Sequence, residues 1–83
     1  MPKSVHSERQ QTIATALANQ RREKGLTQAK VAEALGRHQP FIANIESGER
    51  RVDLVELLDI AEVIDLDVEA LVRKLRHQET PRD

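Results

Sequence analysis

An all-α fold, a compact bundle of five short helices, is predicted by three features of this 83-residue chain. Apolar residues recur at helical spacing, and no stretch alternates long enough to make a strand. Gly25, Gly36 and Gly48 punctuate that pattern, and glycine is the residue that most readily ends a helix. Thr27, Asp53 and Asp67 stand just ahead of apolar runs, where a short side chain with an acceptor oxygen caps a first turn. The length allows one small domain. Such a chain buries only about 60 % of its unfolded surface, so a monomer is marginal.

The first helix begins between Ser4 and Ser7, reaches about Lys24 and turns Ile13, Ala14, Leu17 and Ala18 inward. One turn beyond Leu17 the stripe lands on Arg21, a charge where the core face should continue. The second helix, 28–35, is capped by Thr27 and buries Val31, Ala32 and Leu35, with Leu26 packing from the turn. The third covers 39–47 behind His38. Pro40 falls in its first turn, where the missing N–H had no intrahelical partner, so the proline does not break it. Ile42 and Ile45 face inward. Phe41, the chain's only aromatic residue, lies beside them by helical angle, with packing at the core rim favoured over a contact to a partner.

The fourth helix has the clearest start. Asp53 with Glu56 three residues later makes a capping box, and Val52 can staple onto Leu57. Leu54, Leu57, Leu58, Ala61 and Ile64 then form one apolar face. Asp65 and Asp67 interrupt it, and Asp67 caps a fifth helix, 68–76, carrying Val68, Leu71, Val72 and Leu75. The domain thus spans 9–76, with 1–8 and 77–83 expected as flexible tails.

Catalysis finds little footing. His6, His38 and His77 lie on different segments without a carboxylate at ligand or triad spacing, and no glycine-rich phosphate loop occurs. No enzyme, cofactor or metal site is expected. The absence of cysteine fits a reducing compartment, the N-terminus has no leader-like apolar run, and no segment is apolar enough to span a bilayer. A cytoplasmic protein is the expectation. The net charge of −1 hides an asymmetry: residues 1–51 carry nine Lys and Arg against five Glu, whereas residues 52–83 carry four against nine Asp and Glu. The first half therefore permits a polyanionic partner that the overall charge would disfavour.

With Ile42 and Ile45 inward, the third helix presents Gln39, Pro40, Ala43, Asn44 and Ser47 outward. Glutamine and asparagine amides match the N6 and N7 edge of adenine, and small Pro40 and Ala43 allow close approach to a thymine methyl. Gln28, opening the preceding helix, and Arg50 and Arg51, just past Gly48, are suited to hold phosphates on either side of a groove.

The stretches GLTQAKVAEALG, QPFIANIESGERR and DLVELLDIAEVI resemble the helix-turn-helix family of phage Cro and repressor proteins, the xenobiotic-response-element (XRE) class. The resemblance covers roughly residues 9–75. It implies a five-helix bundle of the lambda-repressor-like type whose third helix enters the major groove of double-stranded DNA, usually as a symmetric dimer on an inverted repeat. By the same likeness Gln39, Pro40, Ala43 and Asn44 match base-facing positions, Thr27, Ser47, Arg50 and Arg51 match phosphate-facing ones, and Gln28 touches backbone while supporting the reading helix. It also implies that Arg21 pairs with Glu46, which accounts for a charge on the apolar stripe.

Three positions depart from the family pattern. Arg37 takes a usually apolar turn position, from which it reaches a phosphate or loosens the turn. Asp65 replaces a glycine, and Pro40 with Ala43 supplies no donors. Leu66, Leu71, Val72 and Leu75 are expected to contribute to a homodimer contact, against the simpler reading in which they face only their own core. The function expected is a DNA-binding transcriptional regulator, a repressor or autoregulator. The alternative is an antitoxin-like module that neutralises a small partner protein, for which only the two short tails are spare.

Overall fold

The computed structural model describes residues 7–78, which form five helices. They are α1 (Glu8–Glu23), α2 (Gln28–Ala34), α3 (Gln39–Ser47), α4 (Leu54–Ile64) and α5 (Val68–His77). Ser7, Thr27, Asp53 and Asp67 each accept a backbone N–H of the turn they precede, and Asp53 with Glu56 forms the reciprocal capping box. Most of the expected tails, residues 1–6 and 79–83, lie outside the described residues. Inside that limit the C-terminal end is tied down: Gln78 donates to Thr12 Oγ1 at 2.8 Å, and Arg9 Nε donates to the Leu75 carbonyl at 3.1 Å.

The core gathers Leu17 from α1, Val31 and Ala32 from α2, and Ile42 and Ile45 from α3. Leu57, Ile60 and Ile64 of α4 and Leu71 of α5 complete it. α3 packs on both α2 and α1, while α4 and α5 each lie against α1. One side of α3 is thereby consumed and the other is left to solvent.

Two of the sequence expectations for α4 need correction. Leu54 and Leu58 are 65 and 46 % exposed, and Val55 beside them is 68 % exposed. The buried face is Leu57, Ile60, Ala61 and Ile64. The apolar arc of α4 is wider than the surface available to cover it, and the bundle covers the arc around Ile60. Leu71 of α5 is committed to the protein's own core, and Leu66, in the turn before α5, and Leu75 are half-buried against it. Of the four residues expected at a dimer contact, only Val72 is left exposed.

Helix ends decide how α3 is presented. Gly48 adopts φ 85°, which lets the Glu49 and Arg50 N–H groups both fold back onto the Asn44 carbonyl at 2.9 and 3.1 Å. Asp65 is the single non-glycine residue with positive φ among the described residues, at φ 60° and ψ 47°. Its side chain forms an exposed ion pair with Lys24 at 3.1 Å, of a kind worth about 0–1 kcal/mol. The left-handed conformation costs a non-glycine residue about 1–2 kcal/mol.

Asp65→Gly is therefore expected to stabilise the fold by roughly 0.5–1 kcal/mol in urea unfolding. Ile45→Ala, at a side chain with 1 % exposure, should cost about 2–5 kcal/mol.

Candidate nucleic-acid interface

The exposed face of α3 is positioned from inside the bundle. Arg21 Nε and Nη2 donate to Glu46 Oε2 and Oε1 at 2.7 and 3.0 Å, and Nη1 donates to the Leu26 carbonyl at 2.8 Å. Both side chains are nearly out of water, at 11 and 8 % exposure. Burial pushes the Glu46 carboxyl up, but hydrogen bonds from Arg21 and Gln28 outweigh it and hold the group below its ordinary 4.5. Donating to Glu46 raises the Arg21 pKa in turn.

From Glu46 a chain of polar contacts runs to the surface. Gln28 Nε2 donates to Glu46 Oε1 at 2.9 Å, and Gln39 Nε2 donates to Gln28 Oε1 at 3.1 Å. The direction of this chain is forced. A carboxylate only accepts, so the amide nitrogen of Gln28 turns toward Glu46 and its oxygen toward Gln39. Gln39 must then donate one N–H inward, leaving its second N–H and its Oε1 facing solvent. A donor and an acceptor side by side are the complement of an adenine edge in the major groove.

Along the same face Pro40 and Asn44 are exposed and Ala43 is half-buried. The Ser47 hydroxyl donates to the Asn44 carbonyl at 3.1 Å, so it is turned onto its own helix. Thr27 Oγ1 accepts the Lys30 N–H at 3.0 Å and keeps its own hydroxyl hydrogen for another acceptor. Arg51 is exposed just beyond the turn.

Arg37 and Arg50 sit differently from a pair of free surface cations. Arg50 Nη1 and Nη2 donate to Glu56 Oε1 and Oε2, both at 2.9 Å, and Arg37 Nη2 donates to Oε2 at 3.2 Å. Their guanidinium carbons lie 4.8 and 4.0 Å from the centre of the Phe41 ring. The Arg50 bond, the Asp53 N–H and the nearby arginine charges carry the Glu56 carboxyl from 4.5 to about 2. From α1, buried Gln10 donates to the Arg50 carbonyl at 3.3 Å and fixes the main chain of this turn. Sequence reasoning read Glu56 only as half of a capping box and passed over Gln10, whose place on the inner stripe of α1, one turn before Ala14, was the available signal.

A helix-turn-helix family model matches residues 17–71, which takes in α2, α3 and α4 whole. An XRE-family like protein from Pseudomonas syringae pv. tomato has a solved structure that is 38 % identical, with 82 % of this chain and 83 % of that one covered and a TM-score of 0.75. The chain belongs to the XRE-type helix-turn-helix family. It is thereby a DNA-binding protein of the transcription-regulating kind. Two further structures share the fold. The clp gene regulator ClgR from Corynebacterium glutamicum is 20 % identical, over 82 % of this chain and 72 % of that one, at a TM-score of 0.73. The restriction-modification controller protein C.Esp1396I, solved as a tetramer with its natural 35-base-pair operator, is 21 % identical over 86 and 93 %, at 0.74. No curated protein sequence matches the chain.

Removing one charge of the inner pair strands the other, so Glu46→Ala should cost about 3–5 kcal/mol in urea unfolding, whereas Arg21→Met with Glu46→Leu should cost far less. Acid gives a second readout. Both carboxyls are depressed, so the stability they contribute is full above the unfolded carboxylate pKa of about 4.3 and is lost as pH falls through the folded values. For Glu56 that window closes at about 2. The drop in urea midpoint between pH 5 and pH 2.5 should be smaller in Glu56→Gln than in the wild type.

Proposed function

We propose that the chain is a sequence-specific regulator that binds an inverted-repeat operator in double-stranded DNA as a homodimer, acting as a repressor or autoregulator of its own promoter. The observation that carries this reading is the forced orientation of Gln39 at the end of the chain from Arg21 through Glu46 and Gln28. A side chain held by three others on a rigid helix is prepared for a ligand with a matching edge. Gln39 and Asn44 read base edges, and Pro40 and Ala43 admit the groove floor and touch thymine methyls. Thr27, Gln28, Arg37, Arg50 and Arg51 hold phosphates on the two flanks, and Ser47 joins them when its hydroxyl turns off the Asn44 carbonyl.

One such head presents few hydrogen-bonding letters, and a two-fold arrangement doubles them. The large apolar side chains left exposed among the described residues are Leu54, Val55 and Leu58 on α4 and Val72 on α5, and Leu66 and Leu75 are half-buried against the core. A dimer places its reading helices about 34 Å apart, one turn of DNA. That C.Esp1396I is a tetramer on its operator gives a precedent for assembly on this fold.

Selection of binding sites from random duplexes is expected to enrich an inverted repeat. Binding should weaken steeply with salt, by a slope of about −6 if roughly seven phosphates are held per dimer. Gln39→Ala should cost about 1–3 kcal/mol and relax preference at one base pair in each half-site, while Arg50→Ala should weaken all sequences alike. Binding indifferent to both substitutions, or no enriched repeat, overturns the reading. In sedimentation at micromolar concentration, Leu54→Glu with Leu58→Glu should leave only a 9.4 kDa species.

A further inference from the structure

Arg37 precedes α3 and Arg50 follows it, yet both reach one carboxylate on α4. Glu56 is held by the main chain before it meets either arginine: its Oε1 accepts the Asp53 N–H at 3.1 Å, and its own N–H donates to Asp53 Oδ1 at 2.7 Å. The Glu56 side chain is 14 % exposed, against 46 % for Arg37 and 40 % for Arg50. The carboxylate therefore forms the inner floor of the cluster and the guanidinium groups its outer surface. Phe41 supplies the face over which both guanidinium groups lie. A guanidinium has five N–H donors. Arg50 commits three of them, to Glu56 and the Arg51 carbonyl, and Arg37 commits one. The remaining donors of both are available to an acceptor arriving from solvent.

We propose that Glu56 is a positioning residue for DNA-backbone binding, drawing Arg37 and Arg50 onto Phe41 and holding them as one prearranged set of donors for phosphate at the α3–α4 edge of the reading head. The proposal rests on the reading that α3 binds DNA and adds a role that no charge count would suggest. On charge alone a carboxylate beside a polyanion is a liability, and removing it should tighten binding. Prearrangement acts in the opposite direction, because two long side chains already ordered lose little freedom when the phosphate arrives. The sign of a single substitution separates the two.

Glu56→Gln keeps the size of the side chain and an oxygen acceptor for the capping box. With the full chain, a selected operator duplex and a random duplex of equal length as probes, Glu56→Gln is expected to bind both about fivefold or more weakly, although the protein has become more positive. Phe41→Leu, which keeps apolar bulk without the ring, should move binding the same way. In an Arg37→Ala, Arg50→Ala background, Glu56→Gln should produce no further loss. Thermal melting of each variant keeps the binding measurements below the unfolding range. Glu56→Gln binding as tightly as wild type or more tightly overturns the proposal. So does a loss that persists without the two arginines, because it would trace to capping of α4. Wild-type protein that binds neither duplex defeats the DNA-binding reading itself, and this role falls with it.

Discussion

Arg21 and Glu46 meet inside the bundle with water nearly excluded, and two charges placed there must satisfy one another or be stranded. The pair is weak evidence for stability, since well-packed apolar residues often do as well in its place. Its distinctive product is direction. Glu46 can only accept, and that single fact propagates through two amides to fix which atoms of Gln39 face outward. An apolar substitute at Glu46 would fill space and leave both amides free to flip. The same pair also ties the end of α1 to the end of α3, so the exposed face is fixed both in position and in polarity.

A second glutamate repeats the arrangement at the edge of the domain. Glu56 takes its place from the first turn of α4 and gathers two arginines that the chain separates by the whole of α3. The two sites differ in how much water they admit. Around Glu46 the arginine itself is buried, at 11 % exposure, which suits a structural anchor. Around Glu56 the arginines keep outward donors, which suits a surface that meets an anion. The charge asymmetry of the sequence has a structural counterpart here: part of the acidic excess of the second half is spent on organising the basic first half.

Much of the fold was legible because helix ends are written in local chemistry. The caps at Thr27, Asp53 and Asp67 and the stop at Gly48 depend on residues within one turn of each other, so a linear reading reaches them. The inner face of α4 was harder. Periodicity gives the width of an apolar arc, and Leu54 and Leu58 lie within that arc as legitimately as Ile60 does; only the shape of the rest of the bundle decides which edge is covered. The Phe41 cluster was out of reach for the same reason. Its members are separated along the chain by loops, and nothing in the spacing of Arg37, Phe41, Arg50 and Glu56 announces that they converge.

In the proposed reading, the reading face is economical. Pro40 and Ala43 contribute shape and no donors, so direct hydrogen-bonded readout rests on Gln39 and Asn44. Each well-formed amide–base pair discriminates by about 1–3 kcal/mol, which is modest for one head against the many competing sites of a genome. Discrimination must then come from multiplying identical heads and from geometry. A two-fold dimer squares the selectivity of one head and adds a requirement for spacing. Order in Arg37 and Arg50 then serves affinity on every duplex alike, because the phosphate backbone carries no sequence of its own, and selectivity is left to Gln39, Asn44 and the spacing of the two heads.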